Sequence, residues 1–350
     1  MLLPSLVGAL STLLIAWALM LTQRWHGRLT LDSHAGIQKL HDEAATRIGG
    51  IALASGLAAV WATSPDGWQH LLHPLLAAGL PALAMGLAED ITKRIGAWPR
   101  LGATLGSGLL LAGMSGVSLS HTGVPALDLL LQSTPLLALA LTAFAVGGVC
   151  NAFNIVDGSH GLASGLALLC IGAIGLMAAQ AADFELAGLS MALGAVTLGF
   201  LPANFPRGRI FLGDGGAYLL GLWVAWLAIL LIERNTAVNP AAVLLACAYP
   251  VAEVGLSVLR RVQRSRPAMQ PDRLHLHSLL QSRVARKRLA HLPQSLRNAS
   301  VAPLAWALGA AAALGALATA THPWAAWLGL GAFVAIYWAV YRRLVRFHWG

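Results

Sequence analysis

Charged residues are scarce in this 350-residue chain: Asp, Glu, Lys and Arg make up 11% of it, against roughly 25% in an ordinary soluble domain. With 57% of positions hydrophobic, a soluble fold would leave a large apolar excess facing water, and no segment between the apolar runs is long enough for a soluble domain of useful size. Cysteine is almost absent. Cys150, Cys170 and Cys247 lie in or beside apolar segments without metal-ligand spacing or a disulfide framework, which leaves packed thiols as their reading. Internal repeats and low-complexity tracts are also missing, which speaks against the inverted-repeat transporters. A cleavable leader is not expected, because Met1 to Thr22 is too long an apolar run, lacks a basic start and is followed by Arg24 and Arg28.

What the chain does contain is a series of apolar runs of about 20 residues, the length that crosses about 30 Å of hydrocarbon. Eleven helices are expected, near 2–22, 48–64, 70–88, 101–118, 135–153, 162–181, 186–203, 216–232, 241–259, 301–320 and 324–341. The predicted fold is all-α, a single integral membrane domain over 1–350 with a basic loop at 260–300. Placing the N-terminus outside puts 22 of the 23 Lys and Arg residues on the inner side, with Arg234 alone outside. The positive-inside rule then assigns a cytoplasmic C-terminus and a multi-pass inner-membrane protein. The net charge of +9 is spread over short loops rather than gathered on a basic domain. That distribution excludes a nucleic-acid partner and suits phosphates and anionic membrane lipid.

Every concentrated polar motif falls on the expected cytoplasmic side. Glu89-Asp90 closes the third span and is followed by Lys93 and Arg94; two adjacent acids at a membrane boundary can position a divalent cation or a phosphate nucleophile, and taken alone they fit an ordinary solvated helix end equally well. In Asn151–Ala163, the residues Asn151, Asn154 and Asp157 share one face if the fifth helix continues that far, and Gly158 and Gly161 allow a tight approach after it. Polar groups facing inward at the end of an apolar span call for a ligand or partners. Asn204 precedes Ile210–Ala217, where Gly213, Gly215 and Gly216 bracket Asp214 at the start of the eighth span, a helix N-terminus that offers donors to an anion. Glu253, after Pro250, is an acid inside a span and a functional candidate for that reason. In the last motif, Arg264–His277, the Arg and His residues, Arg273, His275 and His277 among them, are types that supply charge-assisted hydrogen bonds to phosphate; a solvated basic loop explains the arginines as well, but the His-Leu-His pattern less well. The two histidines share a face only if the chain there is extended.

Together these residues resemble the polyprenyl-phosphate N-acetylhexosamine-1-phosphate transferases, the MraY/WecA family. Lys39, His41 and Arg47-Ile48-Gly49-Gly50 are similar to its first cytoplasmic motif, and Glu89-Asp90 stands at its paired aspartates. Asn151–Ala163 resembles its N-x-x-N-x-x-D-G-x-D-G-L signature, and Asn204 with Gly213-Asp214-Gly215 resembles another. Pro250 with Glu253 resembles a Pro-x-x-Asp element, and His275-Leu276-His277 the WecA-type branch. The chain departs from the pattern at Glu89 and Glu253, which replace aspartates, at His160, where a second Asp is usual, at Ser278 for a further His, and at Ala45-Thr46 for Thr-Pro.

The resemblance implies an enzyme that joins the sugar phosphate of a UDP-N-acetylsugar to polyprenyl phosphate, releases UMP and so initiates a cell-surface polysaccharide such as O-antigen. It further implies Mg²⁺, or alternatively Mn²⁺, with Asp214 as the metal ligand. Asp90, Glu89 and Asp157 are then the catalytic acids, Asp90 orienting the lipid phosphate or acting as base and Asp157 lying near the diphosphate. Lys39, Asn151, Asn154, Asn204, Glu253, Arg273, His275 and His277 complete the substrate contacts. The sugar and the oligomeric state, a homodimer included, stay open. A polytopic transporter or lipid flippase is the rival, although such proteins place polar residues near the bilayer midplane rather than at one rim. For the orientation, cysteines introduced near Asp128 are expected to react with an impermeant reagent in intact cells and those near Arg286 not to; the reverse pattern contradicts the assignment.

Overall fold

The computed structural model describes residues 1–31, 45–263 and 274–346, with side chains described outside 261–263. It is all-helical. The first half comprises α1 (Leu2–Leu21), α2 (Gln23–Thr30), α3 (Gly49–Thr63), α4 (Gln69–Thr92), α5 (Ala97–Ser115), α6 (Pro125–Ser133) and α7 (Pro135–Val156). Then follow α8 (Leu162–Gln180), α9 (Phe184–Asn204), α10 (Gly213–Arg234), α11 (Pro240–Ala246) and α12 (Ala248–Gln263). The short α13 (Leu276–Leu280), α14 (Arg286–Arg288) and α15 (Gln294–Ala299) precede α16 (Val301–Thr319) and α17 (Pro323–Arg346).

All eleven expected apolar runs are helical. Among the described residues, 8 helices are long and apolar enough to cross a membrane, or 9 if the bent pair α11–α12 counts as one span; α3 is shorter. Exposed side chains such as Leu2, Leu136 and Trp324 make the outer surface apolar, as a multi-pass membrane protein requires. At the centre stands α10, buried along almost its whole length and carrying the enclosed Tyr218, Trp223 and Trp226. Apolar contact alone does not draw helices together in lipid, so close approach relies on small residues. Gly199 of α9 lies so near α1 that a Cβ there would overlap the Ala9 carbonyl, and one on Gly221 would come within 2.5 Å of Cys150 Cα.

The continuous span expected over 241–259 is instead two helices meeting at 84°. Pro250 explains the break, since it has no N–H for the carbonyl four residues back and its ring crowds that carbonyl. That oxygen, on Ala246, receives the thiol of Cys170 at 3.4 Å. The break aims the start of α12, and with it Glu253, into the bundle, where Glu253 is 1% exposed. At the end of α10, Arg234 grips the turn between α8 and α9, with Nε 3.0 Å from Asp183 and Nη2 2.8 Å from Glu185. This clamp gives the single arginine expected on the far side a local reason to be there.

Candidate active site

The acids converge on the N-terminus of α10. The first N–H groups of any helix lack partners within it, and the N-cap of α10, Leu212, has no side chain able to supply one. Asp90, near the end of α4, fills that role: its two carboxylate oxygens accept from the N–H of Asp214 at 3.0 Å and of Gly215 at 3.1 Å. Asp90 is 1% exposed, so this carboxylate is enclosed beneath the helix rather than open to a ligand. Its neighbour Glu89 accepts the N–H of Ile95 at 2.6 Å and so closes the turn into α5.

Glycines make the approach of α4 to α10 feasible. Gly213 has φ +68°, and a Cβ there would overlap both the Arg47 carbonyl and the Asp90 carboxylate. A Cβ on Gly86 of α4 would likewise overlap the backbone of Gly215. Three backbone segments are laced together beside this contact: Thr46 bridges Leu31 on one side and Ile210 on the other. The N–H of Gly49 and of Gly50 donate to Phe211 and Leu212 at 3.0 and 3.1 Å. Arg47 emerges from the middle segment, with Nε 3.6 Å from Asp90 and Nη2 3.6 Å from Asp214. The Arg100 guanidinium, from the first turn of α5, pairs directly with the other oxygen of Asp214.

Helix α7 runs to Val156, so Asn151 and Asn154 lie on its last two turns and Asp157 at its C-cap. Asn151 donates to Thr104 of α5 at 3.1 Å and to the Gly147 carbonyl at 2.8 Å. Asn154 and Asp157 are half-buried, and neither makes a side-chain hydrogen bond among the described residues. Although Asp157 keeps some surface exposed, the protein packed around it strips hydration and pushes its pKa up to about 7; Arg47 opposes this rise, and the charges of Asp214 and Asp90 add to it. Asn204 acts as a staple, accepting from the N–H of Gly161 and donating to the carbonyl of Ile210, each at 2.7 Å.

His160 stands beside these acids without joining them. Its Nδ1 faces the Pro206 carbonyl at 3.1 Å and its Nε2 the Asn298 amide at 3.2 Å, and Asn298 accepts from Gln281 at 3.1 Å. Burial lowers its pKa, which favours the neutral ring. Where the resembled signature has an aspartate, this chain has a neutral crosslink between the turn after α7 and the segment from α13 to α15.

Glu253 gathers the His-Leu-His motif. Its carboxylate faces Nδ1 of His275 at 3.3 Å, Nδ1 of His277 at 3.4 Å, the N–H of Leu276 at 3.3 Å and the Tyr249 hydroxyl at 3.3 Å. His275 is the extended N-cap of α13, so the two imidazoles stack, with centroids 5.5 Å apart and planes 5° from parallel. With both Nδ1 atoms on the carboxylate, the Nε2 atoms are left for other partners. His277 Nε2 lies 2.5 Å from where a Cβ on Gly158 would sit, which brings the motif against the residue after Asp157. Glu253 itself is 1% exposed, enclosed behind these two rings.

The sequence-predicted residues therefore form two connected groups, Asp90, Asp214 and Asp157 around Arg47 and Arg100, and Glu253, His275 and His277 against Gly158. Asn151, Asn204 and Glu89 are engaged by neighbouring protein groups, and Lys39 and Arg273 lie outside the described residues. Arg100 enters the sequence reading only as a loop charge, and Arg47 only within a motif. The pattern of glycosyl transferase family 4 matches residues 72–232. A decaprenyl-phosphate N-acetylglucosaminephosphotransferase of Mycobacterium leprae is 31% identical over 314 residues, covering 79% of this chain and 76% of the relative. An undecaprenyl-phosphate alpha-N-acetylglucosaminyl 1-phosphate transferase of Yersinia pestis is 28% identical over 72% of this chain and 70% of its own length. A probable undecaprenyl-phosphate N-acetylglucosaminyl 1-phosphate transferase of Bacillus subtilis is 26% identical over 69% and 67%. The chain belongs to the polyprenyl-phosphate N-acetylhexosamine-1-phosphate transferase family.

The family resemblance implies a divalent cation, and two of the carboxylates present are donors that fit one. Among the described residues no three His, Cys, Asp or Glu side chains form a cage. Asp157, whose side chain makes no hydrogen bond among the described residues, and Asp214 are hard oxygen donors within reach of each other's charge. Mg²⁺ commonly takes one or two carboxylates and completes its shell with phosphate and water. The packing of His277 on Gly158 of this transferase is directly testable. Gly158→Ala would press on the imidazole, and a positioned group displaced by about 1 Å costs up to about 100-fold in rate. Activity is expected to fall at least about tenfold with little change in melting temperature, whereas Gly148→Ala, where a Cβ meets nothing within 4 Å, leaves it unchanged. Equal activities in the two variants would contradict the contact.

Proposed function

We propose that this transferase moves an N-acetylhexosamine 1-phosphate from a UDP-sugar to polyprenyl phosphate at the cytoplasmic face of the inner membrane. The N-terminus lies outside and about eleven helices span the bilayer. N-acetylglucosamine, the sugar in the names of the relatives, is the first candidate. One observation carries the reading: Asp214 and Asp157, with Arg47 and Arg100, share a single rim with the stacked His275 and His277. A diphosphate needs that mixture of cations and oxygen ligands, and a rim position suits a reaction between a water-soluble donor and a lipid acceptor.

An oxygen of the lipid phosphate attacks the β-phosphorus of the UDP-sugar, and the bond to the α-phosphate oxygen breaks to release UMP. A phosphate monoester has its second pKa near 6, so the nucleophile is already mostly ionised at neutral pH and needs alignment more than a base. Arg47 and Arg100 hold Asp214 in place and balance charge at the diphosphate. His275 and His277 present Nε2 to phosphate oxygens, with ring orientation fixed by Glu253. Asp90, under α10, positions Asp214 from below. Lys39 and Arg273 remain candidates for further phosphate contacts. Asp214 and Asp157 would hold Mg²⁺, or Mn²⁺, which neutralises diphosphate charge when bound.

The reaction is tested by supplying the purified protein, in nanodiscs with undecaprenyl phosphate and Mg²⁺, with a panel of radiolabelled UDP-sugars. Label is expected in the lipid with UDP-N-acetylglucosamine, together with UMP; no lipid label from any donor refutes the proposal. For the metal, Asp214→Asn replaces a charged ligand by a neutral amide, a poorer donor to a hard cation. The variant is expected to lose most activity and to raise the half-saturating Mg²⁺ concentration at least about tenfold, about 1.4 kcal/mol in ligand affinity. An unchanged Mg²⁺ dependence would remove Asp214 from the metal site.

A further inference from the structure

Helix α2 has a two-sided surface. Gly27 and Thr30 are buried and His26 is half-buried, whereas Leu21, Arg24, Trp25, Arg28 and Leu29 are exposed. Residues four apart on a helix are surface neighbours, so Trp25 and Leu29 form an apolar stripe, with Arg24 and Arg28 a basic stripe beside it; the exposed Leu21 ends α1 just before the turn. The Arg24 guanidinium lies over the Trp25 ring at 5.0 Å from its centroid. A second such pair stands nearby in the chain: Arg209 lies over Trp17 of α1 at 5.6 Å.

The direction of α2 is fixed by His26. Its Nε2 is 3.0 Å from the Leu19 carbonyl, seven residues back, and its Nδ1 is 2.7 Å from Thr30 Oγ1. Seven residues of straight helix rise about 10.5 Å, too far for an imidazole to reach, so the chain turns away from the α1 axis at Thr22. At its far end α2 runs into the site. The Thr30 carbonyl accepts from the N–H of Arg47 at 3.0 Å, and Lys93 Nζ donates to the Leu31 carbonyl at 2.9 Å. Leu31 and Ile210 bridge Thr46 from its two sides. Both segments that carry an arginine–tryptophan pair therefore flank the segment that presents Arg47 to Asp90 and Asp214.

We propose that the exposed face of α2, together with Arg209, binds the head groups of anionic phospholipids at the bilayer surface, and that the bound lipid steadies the 45–48 segment carrying Arg47. The proposal rests on the cytoplasmic placement of this rim given above. Charge complementarity selects the anionic head group. The neighbouring Leu and Trp stripe suits the boundary between head groups and acyl chains, where a basic amphipathic helix lies and indole rings concentrate.

The full chain is placed in phosphatidylcholine nanodiscs containing rising fractions of acyl-brominated phosphatidylglycerol, and tryptophan quenching is compared between the wild type and Trp25→Phe to isolate Trp25. Each arginine near an anionic surface changes partitioning on the order of fivefold. Brominated phosphatidylglycerol is therefore expected to quench Trp25 at least about fivefold more effectively than brominated phosphatidylcholine. The double variant R24Q/R28Q is expected to lose that preference at an unchanged melting temperature, and Arg209→Gln to weaken it. Equal quenching by the two lipids, or a preference that survives in R24Q/R28Q, overturns the proposal. So does displacement of the quencher by one equivalent of undecaprenyl phosphate, which would assign the face to the substrate's own phosphate. In the same discs phosphatidylglycerol is expected to lower the wild-type KM for the UDP-sugar about fivefold but not that of R24Q/R28Q; an unchanged wild-type KM overturns the coupling to Arg47. The quenching depends neither on turnover nor on which face is cytoplasmic, so a failed transferase assay or a reversed labelling pattern leaves it as a separate result.

Discussion

The carboxylate of Asp90 accepts two N–H groups from the first turn of α10, and the geometry of the acid-bearing rim follows from that contact. Hydrogen bonds to a charged group contribute about 1.5–3 kcal/mol each, and here they also fix where Asp214 points. The contact requires α4 and α10 to meet at backbone distance. That is why Gly86, Gly213 and Gly215 line it, and why the backbone at Gly213 turns left-handed. Once α10 is fixed in this way, Asp214 meets Arg47 and Arg100, while the chain just before it pairs with the segment leading into α3.

A second buried carboxylate plays a comparable part on the other flank. Glu253 does for two imidazoles what Asp90 does for a helix terminus: it is enclosed, accepts several donors and orients the groups it holds. The two flanks meet where His277 lies against Gly158, and His160 and Asn204 tie the intervening turns together. Asn154 and Asp157, whose side chains make no hydrogen bond among the described residues, lie at the end of α7 beside that contact. This division into enclosed acids, Asp90 and Glu253, and a half-buried acid, Asp157, is the physical basis for proposing which carboxylates touch a metal or a phosphate.

Much of this was legible in the chain. The apolar runs located the helices, because bilayer thickness imposes a length that composition reveals directly. The spacing of Asn151, Asn154 and Asp157 also pointed to one helix face, and α7 does extend to Val156. The partnerships were not legible, since they join residues far apart in sequence with no local signature. Asp90 and Asp214 are separated by 124 residues, and nothing near Gly213 indicates that the missing helix cap comes from α4. Arg100 resembled any other inward-facing charge, and the charge pattern could not show that it reaches Asp214. The bend at Pro250 was within reach of sequence reasoning, but the hydropathy of 241–259 masked it. The depth of Glu253 was noticed without its partners, because the histidines it holds lie 22 and 24 residues further on, past the end of α12.

In the proposed reaction Asp90 organises the site as an enclosed cap and does not accept a proton from the nucleophile. Single-turnover rate against pH, measured for the wild type and Asp90→Asn in detergent at saturating Mg²⁺, tests it most directly. The acid limb should follow the ionisation of the lipid phosphate, near pH 6. Asp90→Asn should lower the plateau, because an amide oxygen replaces a charged acceptor under α10, while the limb stays where it is. A limb that vanishes or moves strongly in the variant would show instead that Asp90 is the base.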